Sequence, residues 1–452
     1  MRFIGLDVHK DSCEVAVVEG AACFSGPRVA STPEELEVFA QSLGPKDHVV
    51  LEATGGALAI ARILEPHVGR VVMANPMAVR AIATAKAKTD RLDARTLAKL
   101  LAAGFLPAVW IGDERTRLLR RLVSRHAHMV RQRTQAKNQI HAVLQRTLKG
   151  RPPASDLFGK RGRAWLDNQD LPADERETVQ AALRHVEFLD GELRLVDRSI
   201  AEQILAWPEV RRIMTIPGTG AMAAAGVMAA IGDISRFPTS RHLVGYLGLD
   251  ARVRQSGSAP ARHGRISKQG SSEARHLLVE AAWSAVRTPG PLRAFGERIR
   301  ARRGANIATV AVARKLAVLI WHLLTRGEDY AFARPSLVRQ KVRLLELASG
   351  APRWIGHRNP VRIFATPAQH RAEREVGAQA EKAYRRFVKD FKATGKKGAG
   401  AATGARISSA LEGQAARQGQ AQTLLFSSGS PAPQGHRRKE EANRPGALDF
   451  HP

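Results

Sequence analysis

The chain has 452 residues, 44% of them hydrophobic and 5% aromatic, with a formal net charge of +29 and a pI near 11.2. That length sets an expectation of about three structural units, and a charge so large points to a polyanion as partner, nucleic acid before an acidic membrane. Cys13 and Cys23 stand alone without a CxxC pair, which argues against a disulfide framework and a zinc site. MRFIGLDVHKD lacks the layout of a signal peptide. IATVAVARKLAVLIWHLL carries Arg314 and Lys315 at its centre, so a buried amphipathic helix is expected there rather than a membrane span. A soluble, intracellular chain is expected.

Residues 1 to about 110 alternate strand and helix signals. RFIGLDVH and CEVAVVEG read as a hairpin across KDS, and STPEELEVFAQSLG opens as a capped helix. HVVLEA and GRVVMANP read as further strands around the helical GGALAIARILEPH, so an α/β sheet domain is expected. Asp113 to Lys149 holds neither Gly nor Pro, and Leu119, Leu122, Met129, Ala136, Ile140 and Val143 mark a long helix with a partner-facing seam. Its cations, Arg120, Arg121 and Arg125 among them, oppose only Asp113 and Glu114, so a face toward nucleic acid or an assembly partner is preferred over a solvated one. The acid-rich stretch 173–206 is expected to pack antiparallel against it as a coiled-coil stalk over 111–208. A mainly helical unit follows over 209–330. Residues 331–452 read as a basic, largely disordered tail, with one amphipathic helix possible in QHRAEREVGAQAEKAYRRFVKDF.

Four carboxylates carry the chemistry. Asp7 and Glu52 interrupt apolar strands, where an unpaired carboxylate costs several kcal/mol, and neighbouring strands would bring them together. Asp90 and Asp93, three apart in KTDRLDARTLAKLL, share one helix face. Oxygen ligands without His or Cys select Mg2+ or Mn2+, and two such ions about 3.5–4 Å apart can drive phosphodiester chemistry. Ordinary surface acids are the competing reading for Asp90 and Asp93, but it fits Asp7 and Glu52 poorly.

Two further segments point to phosphates. Pro217-Gly218-Thr219-Gly220 before an Ala-rich run looks like a helix–hairpin–helix turn, whose glycines, Gly218 and Gly220, would let the backbone approach a phosphate; a plain inter-helix turn is the alternative. Arg252, Arg254, Arg262, Arg265 and Lys268 then sit in an acid-free, glycine-containing stretch with Ser256, Ser258, Ser267, Ser271 and Ser272. Such a loop could clamp a DNA backbone or present an activated serine. Chemistry alone does not choose among the five.

Taken together, GLDVHK, LEATGG, KTDRLDA, the IPGTG turn, YLGL and SG…HGRISKQGSSEARHLL, in this order over residues 3 to 325, resemble the DEDD-type insertion-sequence transposases, the bridge-RNA-guided recombinases. The resemblance implies an RNase H-like (RuvC-like) N-terminal domain with Asp7, Glu52, Asp90 and Asp93 as metal ligands. It further implies a C-terminal transposase domain in which Ser256, by its SG motif, attacks DNA to form a phosphoserine linkage. It implies a structured guide RNA, a homo-oligomer (dimer or tetramer), DNA junction and target as substrates, and a cytoplasmic, nucleoid-associated setting. Three alternatives remain: a metal-only endonuclease of Holliday-junction-resolvase type, an actin-like sugar kinase or phosphatase, and a non-catalytic nucleic-acid-binding protein.

Overall fold

The structure, a computed structural model, describes residues 1–83, 89–352 and 364–393. The first compact unit is Met1–Arg115. Its β1 (Arg2–Val8), β2 (Ser12–Glu19) and β3 (Ala22–Ala30) form an antiparallel meander, and β4 (His48–Glu52) and β5 (Arg70–Ala74) add in parallel on the other side of β1. The order β3-β2-β1-β4-β5 makes a mixed sheet, as expected for an RNase H-like domain. Around it lie α1 (Pro33–Gln41), α2 (Ala57–Leu64), α3 (Pro76–Ile82) and α4 (Asp90–Ala102).

The expected hairpin is therefore incomplete, because a third strand continues it. β3, ACFSGPRVA, is largely exposed and contains Gly26 and Pro27, features confined to edge strands. α1 starts as its sequence predicts: the Thr32 hydroxyl accepts from the Glu35 amide and Pro33 opens the first turn.

Strand alternation divides the core. Ile4, Leu6 and Val8 pack with Leu36 and Phe39 of α1 and with Ile60 and Leu64 of α2. The opposite face, including Phe3 and Val50, meets Leu97 and Leu101 of α4. Gly5, Asp7 and, two residues past Val50, Glu52 share that second face. A Cβ on Gly5 would lie 2.1 Å from the Ala94 carbonyl oxygen and 2.7 Å from the Ala98 nitrogen. Only glycine lets α4 lie flush on β1.

The second unit begins at Thr116, just inside α5 (Glu114–Arg146). α6 (Lys160–Asp167), α7 (Ala173–Ile204), α8 (Pro208–Met214), α9 (Ala221–Ile231) and α10 (Ser240–Tyr246) follow. A ribbon of β6 (Ala251–Arg254) and β7 (Arg262–Ile266) leads to α11 (Ser272–Ala285), α12 (Pro291–Arg303), α13 (Ala305–Arg326), α14 (Pro335–Ala348) and α15 (Pro367–Ala393). α5 and α7 run antiparallel, since Arg125, Arg133 and Arg146 pair in turn with Glu192, Asp190 and Glu175. Ile140, Val143 and Leu144 meet Val179 and Ala182 in one cluster, while Leu119, Val123 and Met129 join Leu189, Leu193 and Val196 in the larger core. Val123, rather than Leu122, takes the buried seam position.

α13 is long and apolar enough to cross a membrane by length and composition, and half of its apolar window is buried. Val312, Leu316 and Ile320 of α13 lie in the unit's core, the expected buried amphipathic helix. The expectation of a largely disordered segment after residue 330 is corrected at 335–348, which is helical, while the amphipathic helix read in QHRAEREVGAQAEKAYRRFVKDF is α15. Glu381 of α15 accepts from the Gly290 amide and the Arg293 guanidinium, and Glu373 accepts from the Ser336 amide. The basic tail beyond residue 393 lies outside the described residues.

Candidate active site

Asp7 ends the α4-facing row of β1 and is 5% exposed. The parallel register pairs Leu6 with Leu51, and its next step aligns Asp7 with Glu52, the last residue of β4. Glu52 is half-buried at the strand end, not mid-strand as its sequence suggests. From above, α4 brings its first turn: Thr89 caps it by accepting from the Leu92 amide at 3.3 Å, and Asp90 and Asp93 occupy that turn. Placed at a helix N-terminus, both carboxylates gain favourable interaction with the helix dipole.

A residue missed by the sequence reading, His9, joins Asp7 to Asp90 in one close group, to which Glu52 and Asp93 contribute no atom. His9 Nε2 lies 3.0 Å from Asp7 Oδ2 and 3.3 Å from Asp90 Oδ2. One ligand atom each from Asp7, His9 and Asp90 fall within 4.8 Å of one another. An imidazole thus stands beside the carboxylates, a nitrogen outside the all-oxygen expectation; its signal was the histidine of GLDVHK. Burial pushes the Asp7 carboxyl above the usual carboxylate range, His9 opposes that shift, and the nearby Asp93 and Asp90 add to it. A buried carboxylate with acids and a histidine around it suits a divalent cation, which would relieve the burial and repulsion together. Glu14, directly across from Asp7 on β2, is instead paired with Arg28 and Arg91 at 3.4 and 3.7 Å.

In the second unit, the basic serine stretch forms an antiparallel ribbon rather than a formless loop, with an irregularity between Ala251 and Val253. Three of its five serines have structural partners. Buried Ser267 donates its hydroxyl to Asp250, Ser271 caps α11 by accepting from the Ala274 amide, and Ser272 donates to Glu273 at 2.6 Å. Ser256 and Ser258 lie exposed in the connection between the strands. There the Ala259 amide donates to the Ser256 carbonyl at 3.3 Å, and Gly257, at φ +56°, makes the turn. Arg254 and Arg262 are cross-strand partners, like charges held side by side, an arrangement an anion would stabilise. Arg265 and Lys268 are exposed nearby, and Arg252 donates to the Ser267 carbonyl at 3.1 Å.

The other phosphate-binding candidates have internal roles as well. Gly218, at φ +87°, has its α-carbon so close to α11 that a Cβ would lie 2.4 Å from the Ala281 oxygen; close packing accounts for this glycine. Gly220 caps α9, and a Cβ there would meet nothing. Arg120 donates to the Ala229 and Ala230 carbonyls at 2.6 and 3.2 Å, satisfying the end of α9. Arg125 pairs with Glu192 at 2.9 Å, while Arg121 is exposed.

Comparison with known proteins covers both regions. A DEDD-type IS110 model described as a transposase matches residues 4–149, and one described as the transposase IS116/IS110/IS902 family matches residues 210–297. The chain is 31% identical, over 62% of its length and 71% of the relative's, to y4qE of Sinorhizobium fredii, whose name places it among transposases. It is 26% identical to the transposase for insertion sequence element IS1111A of Coxiella burnetii, covering 73% and 91% of the two chains. To the pilin gene-inverting protein of Moraxella bovis it is 27% identical over 61% and 80%. The first match spans the carboxylate sheet and the second spans the turn and serine ribbon, so the chain belongs to the IS116/IS110/IS902 family of transposases, enzymes that recombine DNA.

Proposed function

We propose that the chain cleaves and rejoins DNA strands during insertion-sequence mobilisation, with Asp7, Glu52, Asp90 and Asp93 holding Mg2+ or Mn2+, as two ions, and Ser256 as nucleophile. The observation that carries this reading is buried Asp7 beneath the first turn of α4, with His9 between it and Asp90. A bound divalent ion supplies Lewis-acid activation of the phosphodiester. His9 orients the Asp7 carboxylate through their hydrogen bond.

Elimination supports Ser256 as well as its motif does: Ser267, Ser271 and Ser272 are committed elsewhere, and Ser258 lacks the SG context. In the proposed step the Ser256 hydroxyl gives up its proton and its oxygen bonds to phosphorus as the bond to the 3′ oxygen breaks. This leaves a phosphoserine and a free 3′-hydroxyl, and attack by the 3′-hydroxyl of an exchanged strand reverses the step. Arg254, Arg262, Arg265, Lys268 and Arg252 hold the DNA backbone, with Gly220 and exposed Arg121 as further contacts. A structured RNA and a homo-oligomer, dimer or tetramer, complete the assembly, working in the cytoplasm on nucleoid DNA.

The test uses element-junction DNA with Asp7→Asn and Ser256→Ala variants. Both should lose strand cleavage. Cleavage that persists in Ser256→Ala without a protein–DNA adduct would replace this mechanism with metal-only hydrolysis, the resolvase-type alternative.

A further inference from the structure

A second feature of the first unit borders the carboxylate cluster. His9 is also part of the wall of a cavity of about 490 Å³, open on one side, within the size range of small-ligand sites. The walls differ in chemistry. Leu36, Ala59, Ile60 and Ile63 make one apolar side, and Lys10 and Thr54 stand exposed on the rim. The Ser31 hydroxyl donates to the His9 carbonyl at 3.1 Å, which ties the end of β1 to the start of α1 and fixes the wall that carries His9.

Gly55 and Gly56 also line the cavity. A Cβ at either would meet nothing within 4 Å, and neither has the positive φ that demands glycine. Packing inside the chain explains Gly5 and Gly218 but not these two. Their effect is to leave the floor bare, so that a flat group can approach the backbone.

We infer that this cavity receives one unstacked nucleotide of a DNA strand, its base against Leu36, Ile60 and Ile63 and its phosphate side toward Lys10 and His9. The inference rests on the metal-dependent DNA reading of the adjoining cluster. A base and sugar match the apolar wall, and a phosphodiester matches the cationic rim. Enzymes acting on DNA commonly hold an extruded base against aromatic or apolar side chains, and the wall here is aliphatic. Seating a neighbouring nucleotide here would fix the strand's register on the carboxylates. The cavity would thereby help select which phosphate is cut.

The test uses the full chain in Ca2+ and a short single-stranded oligothymidylate containing one photoreactive thiothymidine. Cross-linked positions are mapped by mass spectrometry. Adducts are expected on residues of the cavity wall. Ala59→Phe, which fills the cavity from an exposed helical position, should lower their yield about tenfold, the loss that corresponds to one displaced apolar contact surface. Its Mn2+ affinity and melting temperature should stay at wild-type values. Lys10→Ala, a rim change that leaves the apolar wall intact, should lower the yield while keeping the same adduct positions. Adducts that fall elsewhere, wild-type yield in Ala59→Phe, or labelling of the cavity by the matching RNA strand but not by DNA would each overturn the inference. If the wild-type chain binds no Mn2+, the metal reading fails, yet the labelling pattern still decides this one.

Discussion

A Cβ on Gly5 would lie 2.1 Å from the carbonyl oxygen of Ala94, so β1 and α4 meet backbone to backbone one row away from Asp7. Gly5→Ala must therefore push the α4 backbone outward, because no rotamer can relieve a clash with a carbonyl. Overpacking of this kind costs about 1–3 kcal/mol. The variant should melt several degrees lower and bind Mn2+ more weakly, since Asp90 and Asp93 move with α4. Thermal denaturation with and without Mn2+ measures both effects; wild-type values would break the proposed link between α4 docking and the site.

Asp7→Asn should separate stability from activity. The Asp7 carboxyl sits above its ordinary value of 3.8 chiefly because it is buried. A raised carboxyl pKa means that the folded chain holds the proton more tightly than the unfolded chain. Without metal, stability should therefore fall as pH rises from 3.8 through the raised value, and stay reduced above it. Asparagine removes that loss, so the metal-free variant should be more stable than wild type at neutral pH while lacking cleavage. Denaturation midpoints across acid to neutral pH check the sign.

His9 stands beside the proposed site as the hydrogen-bonding partner of Asp7. Mn2+ bound to the full chain should show a nitrogen hyperfine coupling in pulsed electron paramagnetic resonance if imidazole reaches the ion. His9→Asn should remove the coupling and weaken Mn2+ binding by about 10–100-fold, as removal of an orienting partner does. Unchanged affinity would reduce His9 to a bystander.

The ribbon arginines offer a prediction in which binding and stability move in opposite directions. Replacing Arg254 and Arg262 together with Ala removes a like-charge cross-strand pair worth a few tenths of a kcal/mol to about 1 kcal/mol of repulsion. Stability should hold or rise slightly. DNA affinity should fall, and the slope of log affinity against log salt should become shallower by about two, one for each lost phosphate contact. Fluorescence anisotropy at several salt concentrations reads both; an unchanged slope would take these arginines off the DNA.

How much of this was legible in the sequence depended on the range of the signal. Asp7 and Glu52 stood out because acids in apolar strands violate a local pattern, and parallel pairing of β1 with β4 aligned them. Asp90 and Asp93 were legible from helical spacing. β3 was not, because an exposed edge strand with Gly26 and Pro27 loses the apolar alternation that marks a strand. His9 passed as the end of a strand until folding placed α4 above it. The acid-rich partner of α5 was legible from composition, but not which acids of α7 would meet Arg125, Arg133 and Arg146, because such pairing depends on the register of two helices. Spacing alone could not rank the serines either; that needed hydrogen bonds showing Ser267, Ser271 and Ser272 already engaged.

That ranking gives a paired test. Ser267→Ala should strip the half-buried Asp250 carboxylate of its hydroxyl donor and cost about 0.5–1.5 kcal/mol of stability. Ser256→Ala, at an exposed turn, should leave the melting temperature unchanged. If Ser267→Ala proves stable and inactive while Ser256→Ala stays active, the assignments must be exchanged.

The central claim is that DNA becomes bonded to the protein through Ser256. The most direct measurement is to quench a reaction on element-junction DNA, digest protein and DNA, and locate the phosphonucleotide adduct by tandem mass spectrometry. The account predicts an adduct on Ser256, present with Mg2+ or Mn2+ and missing from Asp7→Asn. Cleaved DNA with no adduct, or an adduct on another residue, would contradict it.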